Sequence, residues 1–143
     1  MFSRAEKKQL NTLFFQRFTR HMSSHKSVGG GGKRWEAYRT AVKGVYFRML
    51  TLPNVGLAID IQHKDEEIRR LIFDQFVELA RLLAAEWGEE ATFEKNTTYG
   101  SGEAISRISV YLENVSFFDQ SHWPEMMNWY EEKLLGLDRF WET

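Results

Sequence analysis

Val55-Gly-Leu-Ala-Ile-Asp-Ile-Gln-His-Lys64, followed at once by Asp65-Glu66-Glu67, is the stretch whose reading decides the fold. Its residues alternate. Leu57, Ile59, Ile61 and His63 fall on one face of an extended strand, and Ala58, Asp60, Gln62 and Lys64 on the other. A period of two with one apolar side predicts a strand with a dry face and a polar face. The polar face carries a carboxylate, an amide and an ammonium, with ~7 Å between successive members. Those are groups from which a site could be built.

The flanks extend the pattern. On the N-terminal side, Val45 to Thr51 alternates Val45, Phe47 and Met49 against Tyr46, Arg48 and Leu50. Leu52-Pro53-Asn54 turns it into the next strand, which predicts an antiparallel hairpin. With the apolar faces aligned, Tyr46 and Arg48 share the polar face with Asp60, Gln62 and Lys64, and Arg48 is the expected cross-strand partner of Asp60. On the C-terminal side, Asp65 is an N-cap, and Glu66 and Glu67 meet the positive end of a helix dipole. The helix runs to Gly88, with Ile68, Leu71, Ile72, Phe76, Leu79, Leu83 and Trp87 as its expected buried stripe and Arg69, Arg70, Asp74, Glu78 and Arg81 facing water.

Toward the N-terminus, Ser3-Arg-Ala-Glu6 is a capping box. Leu10, Leu13, Phe14, Phe18 and Met22 then give a helical stripe over residues 4–22. Residues 23–34, SSHKSVGGGGKR, read as a flexible glycine-rich loop, because four consecutive glycines are costly to order. It is no Walker A loop, since Arg34 stands where Ser or Thr is needed and no strand precedes it. Trp35 to Val42 reads as a short helix or turn ended by Gly44. Toward the C-terminus, Thr92–Lys95 is a short strand, residues 96–103 a polar loop, and Ala104–Leu112 the partner strand with Arg107, Ser109 and Tyr111 opposite Ile108, Val110 and Leu112. Phe117 and Phe118 are expected to plug the core under a loop. A last helix opens near Pro124 with Met126, Tyr130, Leu134, Leu137 and Trp141 inward. The order α-β-β-α-β-β-α predicts one α+β domain over residues 1–143, a four-stranded and mainly antiparallel sheet packed by helices.

Composition bounds the function. Aromatic residues make up 15% of the 143, which argues for a packed core rather than disorder. The lack of cysteine excludes disulfides, thiolate metal sites and cysteine nucleophiles. The charged N-terminus lacks the apolar core of a signal peptide, and no apolar run reaches the ~18 residues of a membrane span, so a cytoplasmic protein with no membrane partner is expected. The net charge of −1 hides a split: residues 1–50 hold eleven Lys and Arg against two acids, and residues 51–143 hold eight against eighteen. A basic first third fits an anionic partner or docking on the acidic remainder.

Two chemistries compete on the central hairpin. Gln62-His63-Lys64 fits the (E/Q)xK half of a PD-(D/E)xK nuclease, in which carboxylates hold Mg²⁺ and lysine assists water activation. Asp60, Gln62 and Lys64 are the weak catalytic candidates on that reading. The first half of the motif is missing, since Glu36 is the only carboxylate between Trp35 and Ile59. Otherwise no cofactor is expected. Alternatively, Tyr46, Arg48, Asp60, Gln62, Lys64 and Arg107 form a binding face. Arg39, Lys43, Tyr111 and Trp35 extend it into a basic and aromatic set suited to nucleic acid or to a homodimer or protein interface. His63 reads as a packed or helix-cap residue, and His21, His25 and His122 lack metal-ligand spacing.

Trp35-x-x-Tyr38-Arg39, Lys43-Gly-Val-Tyr-Phe-Arg48, Ile59-Asp-Ile-Gln-His-Lys-Asp65, Ile68-Arg69 and Phe73-x-Gln75-Phe76 make the chain resemble the bacterial domain-of-unknown-function family 4268. Ile105-Ser-Arg107-Ile108, Trp123-Pro124 and Leu137-Asp138-x-Phe140-Trp141 extend the resemblance over nearly the whole chain. The family occurs alone or C-terminal to restriction-endonuclease-like nuclease domains. The resemblance therefore implies a non-catalytic binding or assembly module with a nucleic-acid-related role, as an accessory in DNA defence, and no activity to carry over residue by residue.

Overall fold

A computed structural model describes residues 2–26, 34–100 and 102–142. Most of the glycine-rich stretch, residues 27–33, lies outside the described residues. Helix α1 spans Arg4–His21 and is closed at its start by the expected capping box: Ser3 Oγ accepts from the Glu6 N–H at 3.1 Å, and Glu6 accepts from the Ser3 N–H at 3.0 Å. Residues 35–37 form one 3₁₀ turn rather than a longer helix, and Gly44, at φ +82°, redirects the chain into a strand. Strands β1 (Val45–Leu50) and β2 (Val55–Ile61) pair antiparallel. Helices α2 (Glu66–Glu78) and α3 (Ala80–Trp87) follow, then strands β3 (Thr92–Tyr99) and β4 (Glu103–Leu112), and finally helix α4 (Trp123–Glu142).

The four strands form one antiparallel sheet in the order β1-β2-β4-β3, so β2 and β4 are central. Leu57, Ile59, Ile61, Ile108 and Val110 point into a core shared with Phe14 and Phe18 of α1 and with Met126, Tyr130, Leu134 and Leu137 of α4. Each such side chain contributes about 1.5–3 kcal/mol relative to exposure. Phe117 joins this core, and Phe118 stacks on Phe2 beside it, with centroids 5.0 Å apart. Helices α3 and α4 lock reciprocally. Trp87 Nε1 donates to the Lys133 carbonyl at 3.0 Å, and Lys133 Nζ donates to the Trp87 carbonyl while pairing with Glu89 at 2.9 Å. Gly136 allows their close approach, since a Cβ there would sit 2.5 Å from the Glu86 carbonyl.

Several expectations are corrected. The single helix to Gly88 is two, joined at Leu79 (φ −95°, ψ 11°), although the Asp65 N-cap and the left-handed Gly88 C-cap stand as read. The buried side of the pair is Arg69, Phe73, Phe76, Leu83 and Trp87, whereas Ile68, Leu71 and Leu79 are exposed. Arg69 is accommodated inside because its Nη1 donates to the His63 carbonyl at 3.2 Å. Strand β3 is twice its expected length, absorbing residues 96–99, with a register irregularity between Glu94 and Thr97. Strand β2 stops at Ile61, so Gln62, His63 and Lys64 leave the alternation that seemed to hold them. His63 becomes a capping residue, its Nδ1 accepting from the Asp65 N–H at 3.1 Å.

Candidate functional site

Asp60 is the penultimate residue of the central strand β2, on the face opposite the one that packs Leu57, Ile59 and Ile61 into the core. It is nevertheless 0% exposed. A buried carboxylate is costly unless paired and hydrogen-bonded, and the register supplies the pairing. Arg107 of β4 is directly opposite Asp60, and its Nε and Nη2 donate to Oδ1 and Oδ2 at 2.6 and 2.8 Å. This two-pronged geometry suits a planar guanidinium. Arg107 is accordingly held above the usual arginine range, first by its hydrogen bond to Asp60 and against the opposing effect of burial. Arg48 sits diagonally on β1, with Nε 3.4 Å from Oδ2; Tyr46, not Arg48, is the residue opposite Asp60. Gln62, with its amide oxygen turned to the guanidinium, accepts from Arg48 at 3.2 and 3.0 Å.

Tyrosines close the cluster. The Arg48 guanidinium lies 5.2 Å from the ring centre of Tyr46 and 4.8 Å from that of Tyr99. Tyr46 and Tyr99 come from β1 and β3, opposite edges of the sheet, nominally ~14 Å apart at ~4.8 Å per strand. The tip of the β3–β4 hairpin must therefore bend over the open face. The irregularity between Glu94 and Thr97 is the kind of feature that bends a strand. Tyr111 packs across Gly56, where a Cβ would meet its ring at 2.6 Å. Beneath these rings Ala58, Ile105 and Ser109 are buried as well.

Of the six residues proposed from sequence for a binding face, five gather here: Tyr46, Arg48, Asp60, Gln62 and Arg107. Lys64 does not join them; it is exposed in the turn after β2. Trp35 leaves the basic and aromatic set too, because it is buried in the core. Tyr99 was hidden in a stretch that reads as polar loop, and its Thr-Thr-Tyr ending was the available strand signal. Outside the cluster, an open groove of about 680 Å³ follows the outer edge of β1, bordered by Arg39, Lys43, Tyr46 and Arg48. Arg39 and Lys43 are exposed and form no ion pair among the described residues.

Both oxygens of Asp60 are engaged by arginines, and Lys64 is off the strand that would aim it at a metal. Among the described residues no group of three or more His, Asp or Glu side chains could hold a metal ion. Nor is any helix among them long and apolar enough to cross a membrane. The histidines read as scattered are partly brought together: His21 and His25, four residues apart, donate through Nε2 to the two carboxylate oxygens of Glu131 at 2.9 and 2.5 Å, tying the end of α1 to α4.

The class these features define is an α+β domain whose sheet is covered by helices on one side and closed on the other by an arginine–carboxylate–tyrosine cluster. Residues 10–143 match the family model described as Domain of unknown function (DUF4268), and the chain belongs to that family. No curated protein and no solved structure matches it.

Proposed function

We propose that this chain is a non-catalytic binding and assembly module whose ligand is nucleic acid, in an accessory role such as DNA defence. The observation that carries the reading is the β1 edge. There Tyr46, 46% exposed, offers a ring beside the groove that Arg39 and Lys43 border. An aromatic face for a base next to cations for the backbone is the usual make-up of a surface for single strands. Lys64, also exposed, lies past the end of the neighbouring strand and adds to the positive charge. The Arg48–Asp60–Arg107 cluster holds this edge in place. The metal-dependent nuclease reading draws no support from the geometry, because its carboxylate is already neutralised.

The test is fluorescence anisotropy with labelled single- and double-stranded DNA and RNA at two salt concentrations. Three freed phosphate counterions predict about a 20-fold loss of single-strand affinity for a fourfold rise in salt. Arg39→Glu with Lys43→Glu should abolish most of the binding without altering the fold. Tight binding unaffected by salt or by these substitutions would contradict the assignment, as would no binding at low salt.

A further inference from the structure

The outer side of α2 and α3 carries an apolar stripe that the fold leaves uncovered. Ile68, Leu71, Leu79 and Leu82 are 40, 64, 42 and 60% exposed. The stripe is continuous despite the junction, because the Leu79 N–H bonds to the Gln75 carbonyl and the Leu83 N–H to the Leu79 carbonyl, each at 3.1 Å. At 100° per residue these four positions and Gln75 share one side of the helix pair. That side differs from the one that packs Phe73, Phe76, Leu83 and Trp87 on the body of the protein.

We propose that this stripe is a homodimer interface in which α2 and α3 pack antiparallel on the same helices of a second copy, about a two-fold axis near Gln75. Two features of the sequence select a second copy over an unrelated helix. The apolar spacing is a palindrome: about Gln75, Ile68 corresponds to Leu82 and Leu71 to Leu79. A two-fold axis therefore sets leucine or isoleucine against leucine at four places. The charges flanking the stripe on one side, each one residue before a stripe position or Gln75, form a second palindrome, centred on Asp74, with opposite signs at matching places. In the antiparallel arrangement Glu67 faces Arg81 of the other copy and Arg70 faces Glu78, each twice. None of these four side chains forms an ion pair within its own chain among the described residues. One like-charged contact remains, Asp74 near its own symmetry mate. The pair of helices, ~33 Å long at 1.5 Å per residue, supplies an extended seam for such packing.

The proposal stands apart from the nucleic-acid reading, and a purely hydrodynamic experiment tests it. Sedimentation of the full chain over a dilution series should show a monomer–dimer equilibrium. Leu71→Glu with Leu82→Glu should leave only monomer, with an unchanged circular dichroism spectrum because both positions are solvent-exposed. Glu67→Arg and Arg81→Glu should each weaken the dimer about tenfold, and their combination should restore it, since opposite charges again meet across the axis. Asp74→Asn should tighten it. A chain monomeric at every concentration would overturn the proposal. So would a dimer indifferent to the leucine substitutions, or single charge reversals that the double variant does not rescue.

Discussion

The two faces of the sheet bury their central residues by different means. On the covered face Leu57 and Ile59 are enclosed by α1 and α4, and apolar packing alone suffices. On the other face, Asp60 is buried just as completely by two arginines, a glutamine and a bent hairpin that brings Tyr99 over Arg48. The first kind of closure tolerates gradual change, since a smaller side chain leaves a cavity that neighbours partly fill. The second depends on pairing, since removing one partner leaves a charge in a place with little water.

Substitutions can break the two closures separately. Arg107→Ala, which strands Asp60, is expected to cost about 3–5 kcal/mol in urea denaturation. Leu57→Ala, on the covered face, should cost about 2–5 kcal/mol through lost burial and a residual cavity. Gly56→Ala sharpens the contrast from a third direction. The new methyl would press on the Tyr111 ring and on the Val110 carbonyl, 2.8 Å away, at an expected cost of about 1–3 kcal/mol.

The smallest effect belongs to the tie between α1 and α4. Burial on its own would raise the Glu131 carboxyl, but the hydrogen bonds from His25 and His21 outweigh it and hold the group below the usual glutamate range. A lowered folded value means that the unfolded state binds more protons at moderately acid pH. The tie's stabilisation is therefore fully present above the unfolded carboxylate pKa, about 4.3, and is lost as pH falls through the lower folded value. Urea midpoints followed downward from neutral pH should drop more in the wild type than in Glu131→Gln. For a partly exposed pair the difference should be under about 1 kcal/mol.

Much of the fold was legible because local signals agreed. Period-two strands, the Ser3–Glu6 box, Asp65 and Gly88 each mark an element or boundary that the structure keeps. The α2–α3 stretch misled because it carries two apolar arcs, and sequence periodicity does not say which one meets the sheet. Leu71 and Leu82 are as apolar as Phe73 and Leu83, yet only the latter pair is enclosed. The open face misled for another reason. Alternation distinguishes polar from apolar sides but does not reveal that a hairpin bends over the polar one. Asp60 was recognisable as chemically distinctive, and Arg48 as a neighbour. Its closest partner, Arg107, follows from the pairing of β2 with β4, which no local pattern encodes.

Asp60 locks the open face through its pairing with Arg107. The most direct measurement is the cost of Arg107→Ala in two backgrounds, wild type and Asp60→Ala, by urea denaturation. The pairing predicts about 3–5 kcal/mol in the first and less than about 1 kcal/mol in the second, where no stranded carboxylate remains. An equal cost in both backgrounds would contradict it.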